Sequence, residues 1–125
     1  MTENHQGIRV VVVDDDPLLG KLLLRYLSRA NISACSASNL SELSAVFEPG
    51  AFTHALVDLT LPDGSGAAWL AEALTRDPLL IGVLTSGYPI ATDLLPQSLR
   101  HRAAVLQKPF SPADLLVALG LSAPA

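Results

Sequence analysis

Val10-Val11-Val12-Val13-Asp14-Asp15-Asp16-Pro17 decides the fold class of this chain. Four β-branched residues in a row, with Ile8 one residue further back beyond Arg9, suit a strand buried on both faces, whereas a strand with one wet face alternates apolar and polar residues. The run stops abruptly at three carboxylates. Asp16 followed by Pro17 is a helix N-cap joined to a first-turn proline, so strand, acidic turn and helix follow one another without a linker. That is the opening unit of a parallel α/β sheet.

The same punctuation recurs further along. Ala55-Leu56-Val57 stops at Asp58, Ile81-Gly82-Val83-Leu84 at Thr85, and Ala104-Val105-Leu106-Gln107 at Lys108. In an open parallel sheet the carboxyl ends of the strands share one edge, so these acids, the hydroxyl and the ammonium are expected to converge. Clustered carboxylates are hard oxygen donors suited to Mg²⁺. A carboxylate beside such a metal, with a hydroxyl and an ammonium nearby, is equipped to accept and hold a phosphoryl group.

Strands are predicted over residues 8–13, 32–36, 53–57, 79–84 and 103–107. Helices are predicted from Pro17, with Leu18, Leu19, Leu22, Leu23 and Leu27 as the apolar stripe; from a Ser38 or Asn39 cap to about Phe47; over 66–76; and from Ser111-Pro112-Ala113-Asp114 to Gly120. Pro62-Asp63-Gly64 reads as a loop. Pro89 and Pro96 permit only a short helix between them. Five strands alternating with helices predict a parallel sheet covered on both faces, with right-handed crossovers.

At 125 residues the chain has the length of one domain. The expected layout is a single domain over 1–125, with a core of about 8–121, a polar lead of 1–7 and a short tail of 122–125. Half of the residues are hydrophobic and 16% are charged, a globular composition, and no apolar stretch approaches the roughly 20 residues of a membrane span. The polar start lacks a signal-peptide core, so a cytoplasmic location is expected, and the start at Met1 suggests a complete gene product. One cysteine excludes an internal disulfide and a Cys-based zinc site, and a net charge of −4 argues against binding nucleic acid. Cys35 reads as a small buried hydrophobe and Trp69 as packing, while His5, His54 and His101 have no metal-ligand spacing.

Four motifs stand in order along almost the whole chain: Val10 to Asp16, Asp58-Leu59-Thr60-Leu61-Pro62-Asp63-Gly64-Ser65-Gly66, Leu84-Thr85-Ser86-Gly87 and Gln107-Lys108-Pro109-Phe110. Together they resemble a bacterial two-component response regulator receiver domain. The resemblance implies a doubly wound, flavodoxin-like sheet of order 2-1-3-4-5. It also implies Asp58 as phosphoacceptor, with Asp14, Asp15, Asp58 and the Thr60 backbone carbonyl holding Mg²⁺. Thr85 would hydrogen-bond the attached phosphoryl group, Lys108 would pair with it, and Lys108-Pro109 would be a cis peptide. The implied donor is a histidine kinase or a histidine phosphotransfer protein, the target is an unidentified downstream protein, and the state is a monomer or weak homodimer without direct nucleic-acid or membrane contact. Chemistry would be limited to self-phosphorylation and slow self-dephosphorylation rather than turnover of a separate substrate.

The electrostatics suit that chemistry. Phosphoryl transfer brings negative charge up to Asp58, and Mg²⁺ with Lys108 would offset it in a preorganised site. Close carboxylates raise one another's pKa until metal arrives, so metal binding is expected to depend on pH. Asp16 reads as a helix cap rather than a metal ligand. Many receivers carry Tyr or Phe three residues before the lysine, where this chain has Val105; Tyr88 and the segment on to about Pro96 are therefore the expected mobile element. Leu94, Leu95, Leu99 and Leu121 are candidates for a contact face or for packing.

A free-standing receiver, a receiver from a hybrid histidine kinase and a phosphorylation-independent interaction module all fit this pattern. A Mg²⁺-dependent aspartyl-phosphate hydrolase fits less well, because such enzymes carry a second Asp two residues after the nucleophile, where this chain has Thr60. A flavin-binding protein of the same sheet order fits poorly, since no phosphate-cradling loop follows the first strand.

Overall fold

The valine run forms β1 (Arg9–Val13), and its four valines are at most 1% exposed. Burial on both faces needs cover on both. Val11 and Val13 pack with Leu43, Leu70, Leu74 and Leu84 in one core, while Val10 and Val12 pack with Leu23, Leu27, Leu115, Leu116 and Leu119 in another. The computed structural model describes residues 7–90 and 92–121. The lead through residue 6 with His5, residue 91 in the Pro89 to Pro96 stretch, and the tail 122–125 lie outside the described residues.

After β1 come α1 (Pro17–Arg29), β2 (Ser33–Ala37), α2 (Leu40–Val46), β3 (His54–Asp58), α3 (Gly66–Arg76), β4 (Ile81–Ser86), β5 (Ala103–Gln107) and α4 (Pro112–Ala118). The five strands pair in parallel in the order β2-β1-β3-β4-β5, the order the resemblance implies. α2 and α3 cover one face, and α1 and α4 cover the other.

Local chemistry places the helix ends. Asp16 Oδ1 accepts from Leu18 N–H at 3.0 Å, Asn39 caps α2 and Ser65 caps α3. Ser111 and Asp114 form a reciprocal capping box at the start of α4, with bonds of 3.0 and 3.1 Å. Trp69 packs edge-on against Phe47 at 5.0 Å, the packing role its sequence position suggested.

Four features depart from the sequence reading. β4 begins at Ile81, two residues later than predicted, because Asp77 Oδ1 and its carbonyl take the N–H groups of Leu79 and Leu80 and hold a turn there. Leu18 and Leu22, part of the predicted apolar stripe of α1, are 65% and 51% exposed. The loop after Asp58 is a small antiparallel ribbon, Thr60–Leu61 against Gly64–Ser65. Between β4 and β5, the short turn Thr92–Leu94 is followed by an unpredicted 3₁₀ stretch, Gln97–Arg102.

Arg102 anchors that last stretch by donating to the carbonyls of Leu74 in the last turn of α3 and of Asp77 and Leu80 in the turn that follows it. Leu95 is buried beneath it and Leu99 and Leu121 are half-buried, so three of the four leucines considered for a contact face serve packing. No helix among the described residues is long and apolar enough to cross a membrane.

Candidate functional site

Asp14 continues β1 by one residue, its N–H donating to the Ala37 carbonyl at 3.1 Å. Its side chain therefore sits at the carboxyl edge of the sheet, buried, with Oδ1 accepting from the Asp16 N–H at 2.8 Å. Asp58 is the last residue of β3, also buried, and its Oδ1 accepts from the Thr60 N–H at 3.2 Å. The two Oδ2 atoms turn toward Lys108, whose Nζ donates to Asp14 at 2.7 Å and to Asp58 at 3.0 Å. Lys108 leaves β5 with its N–H on the Ser86 carbonyl at 2.8 Å and a cis peptide to Pro109. Its side chain reaches back past the end of β4 to the acids at the ends of β3 and β1.

Asp15 is exposed beside this pair. Carboxylate oxygens of Asp14, Asp15 and Asp58 all lie within 4.8 Å of one another, a set of hard donors that fits a divalent cation of the Mg²⁺ type. Thr85 pairs in register with Asp58 on the neighbouring strand and is 3% exposed.

The close approach of α3 to this edge depends on one residue. A β-carbon at Gly66 would stand 1.9 Å from the Asp58 carbonyl oxygen, so only glycine lets the helix start there. Burial is the largest influence on the Lys108 ammonium and acts to lower its pKa. The hydrogen bonds and charges of Asp14 and Asp58 together outweigh it, leaving the pKa raised and the group cationic at neutral pH.

A family model described as the response regulator receiver domain matches residues 10–120. The chain belongs to that family. Among curated proteins, the receiver is similar to the swarming motility regulation protein RssB of Serratia marcescens, with 37% identity over 68 residues that make up 51% of this chain and 31% of that protein. It is similar also to the response regulator protein PilR of Pseudomonas aeruginosa, with 33% identity over 70 residues, 56% of this chain and 16% of that one. The matched stretch thus spans a third or less of these relatives.

Among solved structures, a CheY-like response regulator receiver domain protein from Methanospirillum hungatei JF-1 superposes with a TM-score of 0.78 at 28% identity, covering 90% of each chain. The non-phosphorylated HemR receiver domain from Leptospira biflexa gives 0.77 at 28% identity, over 94% of this chain and 98% of that one. Together these relatives establish a receiver domain of the two-component response regulator kind.

The receiver fold gathers Asp14, Asp15, Asp58 and Lys108, aligns Thr85 beside them by register and ties Thr60 to Asp58 through its N–H. Tyr88 stands apart, 80% exposed, with its N–H on Ser86 Oγ at 3.1 Å. Val105 is half-buried against the core on the α2 and α3 side. Asp16 is the cap it was read as.

His54 is buried and structural: its Nε2 donates to the Leu119 carbonyl at 2.8 Å, and burial, partly opposed by that bond, holds its pKa below the usual value. Burial also pushes the Cys35 thiol up.

Two further features escaped the sequence reading. An apolar groove of about 630 Å³ runs between α1 and α4, lined by Leu18, Leu22, Tyr26, Pro109 and Phe110, with Asp16 and Lys108 also on its wall. Its signal was present in α1, whose apolar arc is broader than one buried face requires. The second is Asp63, whose contacts to α2 connect elements far apart in sequence.

Proposed function

We propose that this receiver is a Mg²⁺-dependent phosphoacceptor in a two-component or phosphorelay pathway, and that phosphorylation of Asp58 switches a partner-binding surface. The observation that carries this reading is the Lys108 ammonium bonded to both Asp14 and Asp58. A fixed cation at the acceptor carboxylate offsets the charge that arriving phosphate brings.

In the forward step an Asp58 carboxylate oxygen attacks phosphorus of a donor phosphohistidine. The phosphorus–nitrogen bond breaks, its electron pair stays on the imidazole, and an acyl phosphate forms. In the reverse sense of signalling, water attacks phosphorus and releases inorganic phosphate, regenerating the carboxylate. Asp14, Asp15, Asp58 and the Thr60 carbonyl would hold Mg²⁺, which supplies positive charge against the phosphoryl oxygens when bound.

Lys108 keeps its place beside Asp58 through the step, and Thr85, in register with Asp58, offers a hydroxyl on the adjoining strand. Thr85 drawn toward the phosphoryl oxygens would carry Ser86, Gly87 and Tyr88 with it, a displacement at the surface near β4 and β5 that a partner can read. The donor fitting this chemistry is a histidine kinase or a histidine phosphotransfer protein, and the apolar groove beside Lys108 offers it a landing surface. A cytoplasmic location and the absence of turnover on a separate substrate go with this reading.

Borohydride reduction tests the site of attachment. After incubation with acetyl phosphate and Mg²⁺, reduction of an acyl phosphate converts its residue to homoserine, and peptide mapping should find homoserine at position 58. Conversion at Asp14 or Asp15, or none anywhere, would contradict the assignment.

A further inference from the structure

The ribbon that follows Asp58 is held from two sides. Toward the sheet, Thr60 N–H donates to Asp58 Oδ1 at 3.2 Å and Gly66 N–H donates to the Leu59 carbonyl at 2.9 Å. Toward α2, Asp63 at the ribbon's corner spreads its carboxylate over the helix start. Oδ1 accepts from the Leu40 N–H at 2.8 Å and Oδ2 from the Ser41 N–H at 3.0 Å. Leu40 closes on the same ribbon, since a β-carbon at Gly64 would lie 2.7 Å from its Cδ1.

The start of α2 has caps of its own besides Asp63. Asn39 Oδ1 takes the Glu42 N–H at 2.8 Å, the Asn39 carbonyl takes the Leu43 N–H at 3.1 Å, and Glu42 Oε1 takes the Ser38 N–H at 2.8 Å. The Leu40 and Ser41 N–H groups remain, and both point their partial positive charge at Asp63. The Leu40 bond is the main reason the Asp63 carboxyl sits below its usual pKa; some loss of hydration at this exposed group opposes it, and the N–H groups of Ser41 and of Asp63 itself add to it. The carboxylate form is therefore the one that makes the contact.

We infer that Asp63 is a positioning residue for the phosphoacceptor site: it clamps the ribbon to α2 and thereby fixes the backbone at Thr60. A ribbon with two residues on each strand is too short to hold its own shape. Thr60 needs holding on two counts, because its N–H contacts Asp58 and its carbonyl is among the oxygens proposed for Mg²⁺. The inference rests on the phosphoacceptor reading for the second of these only. An acid is suited to the corner because two carboxylate oxygens accept from two successive N–H groups, whereas an amide offers one acceptor oxygen.

The test compares wild type, Asp63→Asn and Asn39→Ala, measuring Mg²⁺ affinity by calorimetry and amide hydrogen exchange by NMR. Asn39→Ala removes one bond from the same helix end without touching the ribbon. Asp63→Asn should weaken Mg²⁺ binding about tenfold, the low end for residues that orient metal ligands, and should speed exchange at Thr60. Asn39→Ala should change neither. Equal effects in the two variants would reduce Asp63 to a helix cap, and unaltered Thr60 exchange in Asp63→Asn would overturn the clamp outright. A wild type that binds no Mg²⁺ would instead defeat the phosphoacceptor reading, while Thr60 exchange would still decide the clamp.

Discussion

Lys108 Nζ lies 2.7 Å from Asp14 Oδ2, joining residues 94 apart in sequence across the carboxyl edge of the sheet. The same ammonium reaches Asp58 at 3.0 Å, so one positive charge is shared between two buried carboxylates and offsets half of their negative charge. The site is thus a balance of like charges held by a single counterion, and its stability should respond to changes in either sign.

Replacing Lys108 by Met removes that counterion and leaves Asp14 and Asp58 facing each other. The expected cost is about 1–2 kcal/mol, reduced from the full penalty of an unpaired buried charge because the lysine keeps some contact with water. Thermal unfolding should show a lower midpoint for the variant in metal-free buffer. Added Mg²⁺ should raise that midpoint more than it raises the wild type's, and equal shifts would mean that the carboxylates do not share the cation.

The raised pKa of Lys108 gives the pH response a definite sign. A group whose folded pKa exceeds its unfolded one adds stability in full below the unfolded value, about 10.4 for lysine, and loses it as pH rises through the folded value. Urea unfolding above about pH 10 should therefore show stability falling more steeply in wild type than in Lys108→Met.

His54 acts at the other end of the scale. Its folded pKa is depressed, so its neutral form is favoured above the unfolded value of about 6.5, and that stability is lost as pH falls toward the folded one. Carboxylates titrate lower still, which makes the difference between wild type and His54→Gln the quantity to follow. Its slope should lie just below about pH 6.5, and parallel stability curves there would show that the ring does not stay neutral in the fold.

Gly66→Ala should be among the most damaging small substitutions in the domain. The added carbon meets the Asp58 carbonyl at 1.9 Å and Val57 Cγ1 at 2.9 Å, and the nearer contact is with backbone that cannot swing aside. A loss of about 3 kcal/mol is expected, at the upper end of overpacking costs. Gly20 is the control: it is buried in α1, yet a β-carbon there would meet nothing within 4 Å, so Gly20→Ala should gain up to about 1 kcal/mol of helix propensity. Chemical denaturation of the two variants checks both signs.

The strand ends were legible because burial on both faces leaves a continuous apolar run, and such a run has a visible end. Asp14, Asp58 and Thr85 stand out that way, whereas Lys108 follows a half-buried edge strand that is still apolar up to Gln107, and register sets Thr85 beside Asp58. The 60–65 ribbon left no such trace, since two residues per strand show no periodicity. Asp63 and Arg102 were missed for a related reason: each satisfies backbone groups more than 20 residues away in sequence, at the start of α2 and at or just past the end of α3. Leu18 and Leu22 were misplaced because an apolar arc shows that a helix has a greasy side without showing how much of it a neighbour covers.

Intact mass after incubation with Mg²⁺ and acetyl phosphate, for wild type and Asp58→Asn, tests the phosphoacceptor proposal most directly. A single phosphoryl adduct on wild type that disappears with a chelator and is missing from the variant is the expected result. An adduct of equal size on Asp58→Asn, or none on wild type with Mg²⁺ present, would contradict it.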